Sequence, residues 1–554
     1  MRTMLLYVYL TIVILGPSLG TTAESGPVVT LKNGKVRGEY IHVKGTEQRV
    51  QQYLGIPFAR PPLGPLRLTA PQPVVEPWEG EWDGTRQPHM CIQDPVITQN
   101  FVKAMAIEST LPDVSEDCLY LNVYTPQAEA ATGEKLPVFF WIHGGGFTMG
   151  GAAQYDASPL AAYQNMVVVV IQYRLGILGF LSTGDEHATG NWGILDQIAA
   201  LKWVQENIES FGGDPKSVTI AGESAGGISA SILTISPLAK GLFHRAVLQS
   251  GVATMAITKS PLAQAMVVAH LAECDNSTTE KIVKCIMGMT KEELVNTTRK
   301  MKILFGANVD GVLLKHGAEE LLKRKEVANV PVLLGVTNHE FGWLIPSSFA
   351  PPGWSEGLDR QTIMAMMNTF YPAGASGVNN IVADEYLKDA KNPQDIRDGF
   401  TEMLGDMLLV VPVMKVAGYH RDAGVPVYFY EFQHSAEMHK HTRPSFVKAD
   451  HADDIGFMLG ICFWNGHIKI TGAVTEEEKT LCKTMMAYWA NFARTGSPNG
   501  DGLVQWPQYD QKEEYMELGL KQVASQGLKK DKVHFVDVIL PEKLQSLAAA
   551  ASQR

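Results

Sequence analysis

Six short stretches of the chain are almost continuously apolar and rich in β-branched or aromatic residues: 138–142, 167–172, 218–221, 246–250, 330–336 and 427–432. Strands buried on both faces of a parallel sheet read this way, because neither face alternates with a polar one. Between them the apolar spacing widens to three or four. In the clearest case Ile194, Leu195, Ile198, Leu201, Val204 and Ile208 form one stripe that Gly212-Gly213 ends, which predicts an amphipathic helix. Strands alternating with such helices predict an α/β class, with a large, mostly parallel central sheet and helices on both faces. The stretches 253–329 and 344–425 carry helical patterns and few strand signals. They read as insertions over the carboxyl edge of the sheet, where such folds bind ligands. No repeat or low-complexity block interrupts 21–554, so one domain is expected there.

Composition narrows the class. The chain has 554 residues, 45% of them apolar, enough for one large core. A net charge of −11, with no clustered basic face, argues against a nucleic-acid partner. Residues 1–20 join a charged start, an apolar run from Leu5 to Leu15 and a small-residue end. That reads as a secretory signal peptide, cleaved near Gly20 or Ala23. The run is shorter than the roughly 20 apolar residues a bilayer requires, and no later segment reaches that length uninterrupted by charge, Pro or Gly, so no transmembrane anchor is expected. The expected destination is secretion.

That compartment gives the six cysteines, Cys91, Cys118, Cys274, Cys285, Cys462 and Cys482, 15 possible pairings. Short loops close most cheaply, which favours Cys91–Cys118 and Cys274–Cys285. Cys462 and Cys482 are left open between a third bond and buried thiols. No Cys/His spacing suggests a metal, and no cofactor is expected. Asn276 and Asn296 head glycosylation sequons, read as surface loops.

Gly222-Glu223-Ser224-Ala225-Gly226 fits G-x-S-x-G. In so glycine-rich a chain the match alone is weak, and an incidental serine in a turn is the plain alternative. Its context strengthens it: 218–221 reads as a strand and 225–233 as the following helix. A sharp strand-to-helix turn needs small neighbours and lifts the serine hydroxyl above the sheet, at a helix N-terminus that favours negative charge. Upstream, Trp141-Ile142-His143-Gly144-Gly145-Gly146-Phe147 follows another strand. Glycines there permit a main-chain shape that points N–H groups at a developing oxyanion. The expected donors are Gly145, Gly146 and Ala225. His143 sits in the corner before the glycines and reads as structural.

A serine needs a base. His451 stands out in Lys448-Ala449-Asp450-His451-Ala452-Asp453-Asp454, whereas His434, His439 and His441 sit in a polar stretch and read as solvated. Glu340 directly follows the buried run 330–336 and is a candidate acid. Asp310, Asp450 and Asp453 compete with it.

Together these residues resemble the type-B carboxylesterase and cholinesterase family of the α/β-hydrolase fold, across nearly the whole mature chain. Phe211 to Gly227 resembles its active-site signature, and Glu116-Asp117-Cys118-Leu119-Tyr120-Leu121-Asn122-Val123-Tyr124-Thr125-Pro126 its second signature. The resemblance implies a serine esterase with Ser224 as nucleophile, Glu340 as acid and His451 as base. It also implies Ser250 in support of the acid, and disulfides Cys91–Cys118 and Cys274–Cys285. The stretch 449–452 is closest to carboxylesterase-2-like members.

Two departures follow. The loop from Cys91 to Cys118 contains no Trp, where cholinesterases hold choline by cation–π contact; apolar esters are expected instead. The chain ends Ala551-Ser552-Gln553-Arg554, without the retrieval signal of endoplasmic-reticulum members, which favours secretion. Small-molecule xenobiotic esters, acylglycerols and acyl thioesters are the expected substrate classes. Met-rich stretches at 363–367 and 403–414 read as core or as pocket lining. The alternatives are a cholinesterase and a non-catalytic adhesion homologue; the latter typically lacks the serine. Oligomeric state is left open.

Overall fold

A computed structural model describes residues 26–552, apart from 75, 128–132, 302–303 and 371–375. The predicted leader, 1–20, lies outside the described residues.

The central sheet has eleven strands, in chain order β1 (Glu39–His42), β2 (Arg49–Pro57), β3 (Tyr120–Pro126), β4 (Leu136–Ile142), β5 (Val167–Ile171), β6 (Gly213–Glu223), β7 (Arg245–Gln249), β8 (Val332–Thr337), β9 (Val427–Phe432), β10 (Glu514–Leu518) and β11 (Gln522–Gln526). Their spatial order is β1-β2-β3-β5-β4-β6-β7-β8-β9-β10-β11. Every pairing from β5 across to β10 is parallel. The outer pairings, at β1, β2, β3 and β11, are antiparallel. The six apolar runs are β4 to β9. All residues of β5, β8 and β9 are buried, because helices cover both faces of a parallel sheet.

Helix α1 (Trp192–Asn207) buries Ile194, Ile198, Leu201 and Val204 as its stripe predicts. Helix α2 (Ala225–Ile235) is buried along its whole length. Apolar side chains form one core cluster on each side of the sheet. A third cluster, including Phe341, Ile363, Met367, Phe400 and Met403, lies among the helices of 344–425. Much of the Met-rich sequence is therefore core. Among the described residues no helix is long and apolar enough to cross a membrane.

Register positions the site. Ile142 lies opposite Ile171 and Gly222, Gly222 opposite Leu248, Gln249 opposite Gly335, and Thr337 opposite Phe432. The parallel strands thus end nearly level, and the segments leaving them emerge on one edge, the usual ligand-binding edge of such sheets. Three disulfides are present: Cys91–Cys118, Cys274–Cys285 and Cys462–Cys482. The pair the sequence left open is bonded.

Candidate active site

Ser224 sits between β6 and α2 with φ 55° and ψ −121°, a conformation a side-chain-bearing residue rarely holds without support. The support is close packing. A Cβ on Gly226 would overlap the Ile142 carbonyl, and one on Gly222 would overlap the Gly226 backbone. The Ser224 amide donates to the Gln249 carbonyl (2.9 Å), and its own carbonyl accepts from Ile228 N–H (2.8 Å). The strand-to-helix turn read from the sequence is present.

Beside it, Gly145 and Gly146 have φ of 105° and 60°, which favours glycine. Neither donates its N–H to a protein acceptor among the described residues. The first turn of α2 likewise leaves the Ala225 N–H without an intrahelical partner. All three line the same gorge as Ser224 and His451. His143 does not reach it: its Nδ1 donates to the Gly144 carbonyl (2.8 Å), and its ring stacks on Tyr173 at 4.5 Å. Burial pushes its pKa down to about 4, as befits a neutral, structural ring.

His451 Nδ1 lies 2.6 Å from Glu340 Oε2. Glu340 Oε1 accepts from the Ser250 hydroxyl (2.6 Å) and the Thr337 N–H (2.8 Å). These residues come together across 111 positions because two segments are stitched side by side. His339 and Asp450 form a parallel bridge, Ala449 N–H donates to Asn338 Oδ1, and Asp450 accepts from the N–H groups of Trp343 and Leu344. The rival acids are engaged elsewhere. Asp310 accepts backbone N–H groups of its own loop, Asp450 those of 343–344, and Asp453 pairs with Arg443.

The sequence offered no signal for Glu223, the variable residue of the serine motif. It is buried, with Oε1 3.0 Å from His451 Nε2. Burial pushes its pKa up to about 8 against the attraction of His451. Burial alone would lower His451, but the Glu223 and Glu340 carboxylates outweigh it and push the ring up to about 10. Behind them, Asp454 accepts from Gln249 (2.8 Å) and Tyr430 (2.5 Å), and burial raises it to about 6.

Two sequence expectations need correction. His441 is exposed, but His439 is buried, with its pKa pushed down to about 4 by desolvation, and His434 contacts Glu478 at 2.9 Å. The stretch only looks polar, because its turn folds inward, where Ala436, Met438 and His439 line a cavity beside the gorge. Asn276 is in an exposed loop as expected; Asn296 is on an exposed helix, because 291–300 carries a Thr290/Glu293 capping box.

The gorge is walled by Ile228, Phe341, Leu344, Ile345, Leu408 and Leu409. Its methionines are Met149 and Met255, which the sequence did not single out. A second, smaller cavity adjoins it and shares Phe101, Gly145, Met149 and Glu223. Among the described residues no cluster of His, Cys, Asp or Glu is arranged to hold a metal ion.

The carboxylesterase family model matches residues 25–536. The chain belongs to the carboxylesterase family. A medium-chain fatty acyl-CoA hydrolase precursor of Anas platyrhynchos is 48% identical over 93% of this chain and 92% of its own length. The cocaine esterase of Homo sapiens is 45% identical over 95% and 93%. The pyrethroid hydrolase Ces2a of Mus musculus is 43% identical over the same shares. This carboxylesterase is a carboxylic-ester hydrolase of apolar substrates, on an α/β-hydrolase fold. The cholinesterase and adhesion readings are not favoured.

Proposed function

We propose that this carboxylesterase cleaves apolar esters through an acyl-enzyme on Ser224, with His451 as base and Glu340 as acid. The observation that carries the reading is the buried chain Ser250–Glu340–His451, whose imidazole lines the same gorge as Ser224. His451 Nε2 takes the Ser224 proton as the hydroxyl attacks the carbonyl, while Glu340 fixes the ring and offsets its charge. The alkoxide rests on the N–H groups of Gly145, Gly146 and Ala225, where each donor contributes about 3 kcal/mol. Nε2 then protonates the departing alcohol, and water repeats the sequence to release the acid.

Residues 21–554 act as a single catalytic domain, with 253–329 and 344–425 as insertions over the gorge. The two exposed sequons and three disulfides support a secreted glycoprotein. The apolar gorge wall suits medium-length acyl chains, whether in xenobiotic esters, acylglycerols or acyl thioesters.

The test is hydrolysis of p-nitrophenyl esters from acetate to laurate by the wild type and Ser224→Ala. Loss of turnover in the variant supports the serine mechanism, and equal rates on every ester overturn it.

A further inference from the structure

One stretch of the gorge wall is an irregular turn, and the C-terminal segment of the chain ties it down. Helices Pro393–Gly405 and Val411–Asp422 run into one another through a π turn, Asp406–Val410. Pro412 has no N–H for the Leu408 carbonyl four residues back, so regular α pairing cannot pass through this point. The Val411 N–H donates to the Asp406 carbonyl, five residues back. Such turns are rare and cluster at functional sites.

The turn faces two ways. Leu408 and Leu409 line the gorge, whereas Asp406 and Val410 line a separate, polar cavity together with Lys529. Gly405, just before the turn, packs on Glu340: a Cβ there would sit 3.5 Å from Glu340 Cβ and 3.6 Å from the Phe341 nitrogen.

Asp406 is fully buried, and both of its carboxylate oxygens are engaged. Oδ1 accepts from Lys529 Nζ (2.5 Å) and Oδ2 from the Tyr386 hydroxyl (3.1 Å). Lys529 lies 123 positions further along the chain and also reaches Glu402 Oε1 (3.5 Å). Burial works against the Lys529 charge, but Asp406 and Glu402 outweigh it and hold the ammonium above its ordinary pKa. Burial likewise pushes the Asp406 carboxyl up, and Lys529 opposes that rise. Without Lys529, burial would drive Asp406 to take up a proton, and the tie would lose both charges. Neither Asp406 nor Lys529 is among the described residues that line the gorge. Any effect of the pair on substrate therefore passes through the two leucines.

We propose that the Lys529–Asp406 pair fixes the π turn, and with it Leu408 and Leu409, so that it sets the length of acyl chain the gorge grips. Lys529 is a positioning residue that does not touch the ester. This role rests on the Ser224 mechanism above. A methylene held against an apolar wall raises kcat/KM about fourfold, the equivalent of its burial. A wall free to shift returns less for each methylene.

The test measures kcat and KM on p-nitrophenyl esters from acetate to laurate for the purified full chain, Lys529→Met and Lys529→Arg. Lys529→Met keeps the side-chain length and removes the charge. Its loss in kcat/KM should grow with chain length, from less than about twofold on acetate to about tenfold on octanoate, carried by KM. Lys529→Arg, which keeps the charge, should recover part of the length preference. Should Lys529→Met fail to fold, Lys529→Met/Asp406→Asn, which leaves no carboxylate unpaired, takes its place. Binding is read separately by calorimetry of methyl alkyl ketones, from 2-hexanone to 2-undecanone, on Ser224→Ala protein with and without Lys529→Met. The same flattening is expected there. A length profile parallel to that of the parent protein in either readout overturns the proposal even where Tm falls, because a merely structural ion pair would lower stability and leave the profile in place. A Lys529→Arg profile as flat as that of Lys529→Met overturns it too. Turnover that survives Ser224→Ala sinks the mechanism instead, and the calorimetry still decides the role of Lys529.

Discussion

Glu223 Oε1 stands 3.0 Å from His451 Nε2, the ring nitrogen opposite the one that Glu340 holds at 2.6 Å. The imidazole is thus clamped between two buried carboxyl groups, and their charge sets the pH at which it can accept a proton.

The pH profile should show this coupling. A base works unprotonated, so activity rises with pH. Because both carboxylates raise the pKa of His451, the acid limb of kcat/KM should lie above 6.5, the ordinary imidazole value. Glu223→Gln removes the largest of those attractions and should move the limb to lower pH. A stopped-flow pH series on both proteins checks it; a limb that stays in place would show that Glu223 does not act on the ring.

Ser250→Ala deletes one of the two hydrogen bonds on Glu340 Oε1 and leaves the Thr337 N–H. A bond to a charged group contributes about 2 kcal/mol. The expected outcome is a kcat drop of roughly thirtyfold with KM little changed. Ser250→Thr, which keeps the hydroxyl, should recover part of the loss. Steady-state kinetics on one p-nitrophenyl ester decides.

Gly226→Ala places a methyl against the Ile142 carbonyl at the join of β4, β6 and α2. No flexible side chain is there to yield, so overpacking should cost about 3 kcal/mol. The midpoint of urea unfolding, followed by tryptophan fluorescence, should fall accordingly. An unchanged midpoint would mean the turn has room the geometry denies.

The Cys462–Cys482 bond closes a sequence separation of 20. In the chain-entropy account a loop of that size stabilises by about 3 kcal/mol. The double variant Cys462→Ala/Cys482→Ala should lower Tm in a thermal scan while retaining esterase activity, since neither cysteine lines the gorge. Tm equal to wild type would show the bond to be dispensable.

Much of the fold was legible because burial on both faces leaves a one-dimensional mark. The runs that became β4 to β9 are apolar at consecutive positions, and α1 carries its stripe in order. The flanking strands β1, β2, β10 and β11 were missed. They lie at the sheet edges, where mixed polarity resembles a loop; β11 has no buried residue. Strand β3 was read only as part of a motif. The solvated reading held for His441 and failed for His439 for the converse reason: His439 is polar and buried, and polarity alone does not report which way a turn folds.

For the site, the sequence by itself determined what is encoded by neighbours along the chain. The Ser224 turn needs small residues at 222 and 226, and the loop after β4 needs glycines at 145 and 146. Both demands are steric and local, so composition reveals them. Only tertiary structure decided which of several carboxylates meets His451, because Glu340 reaches it across 111 residues through the bridge at His339 and Asp450. It alone disclosed the pairing of Cys462 with Cys482 and the approach of Glu223 to Nε2. Such contacts depend on how level the parallel strands end and how the loops beyond them pack. Neither quantity is written in any short stretch of residues.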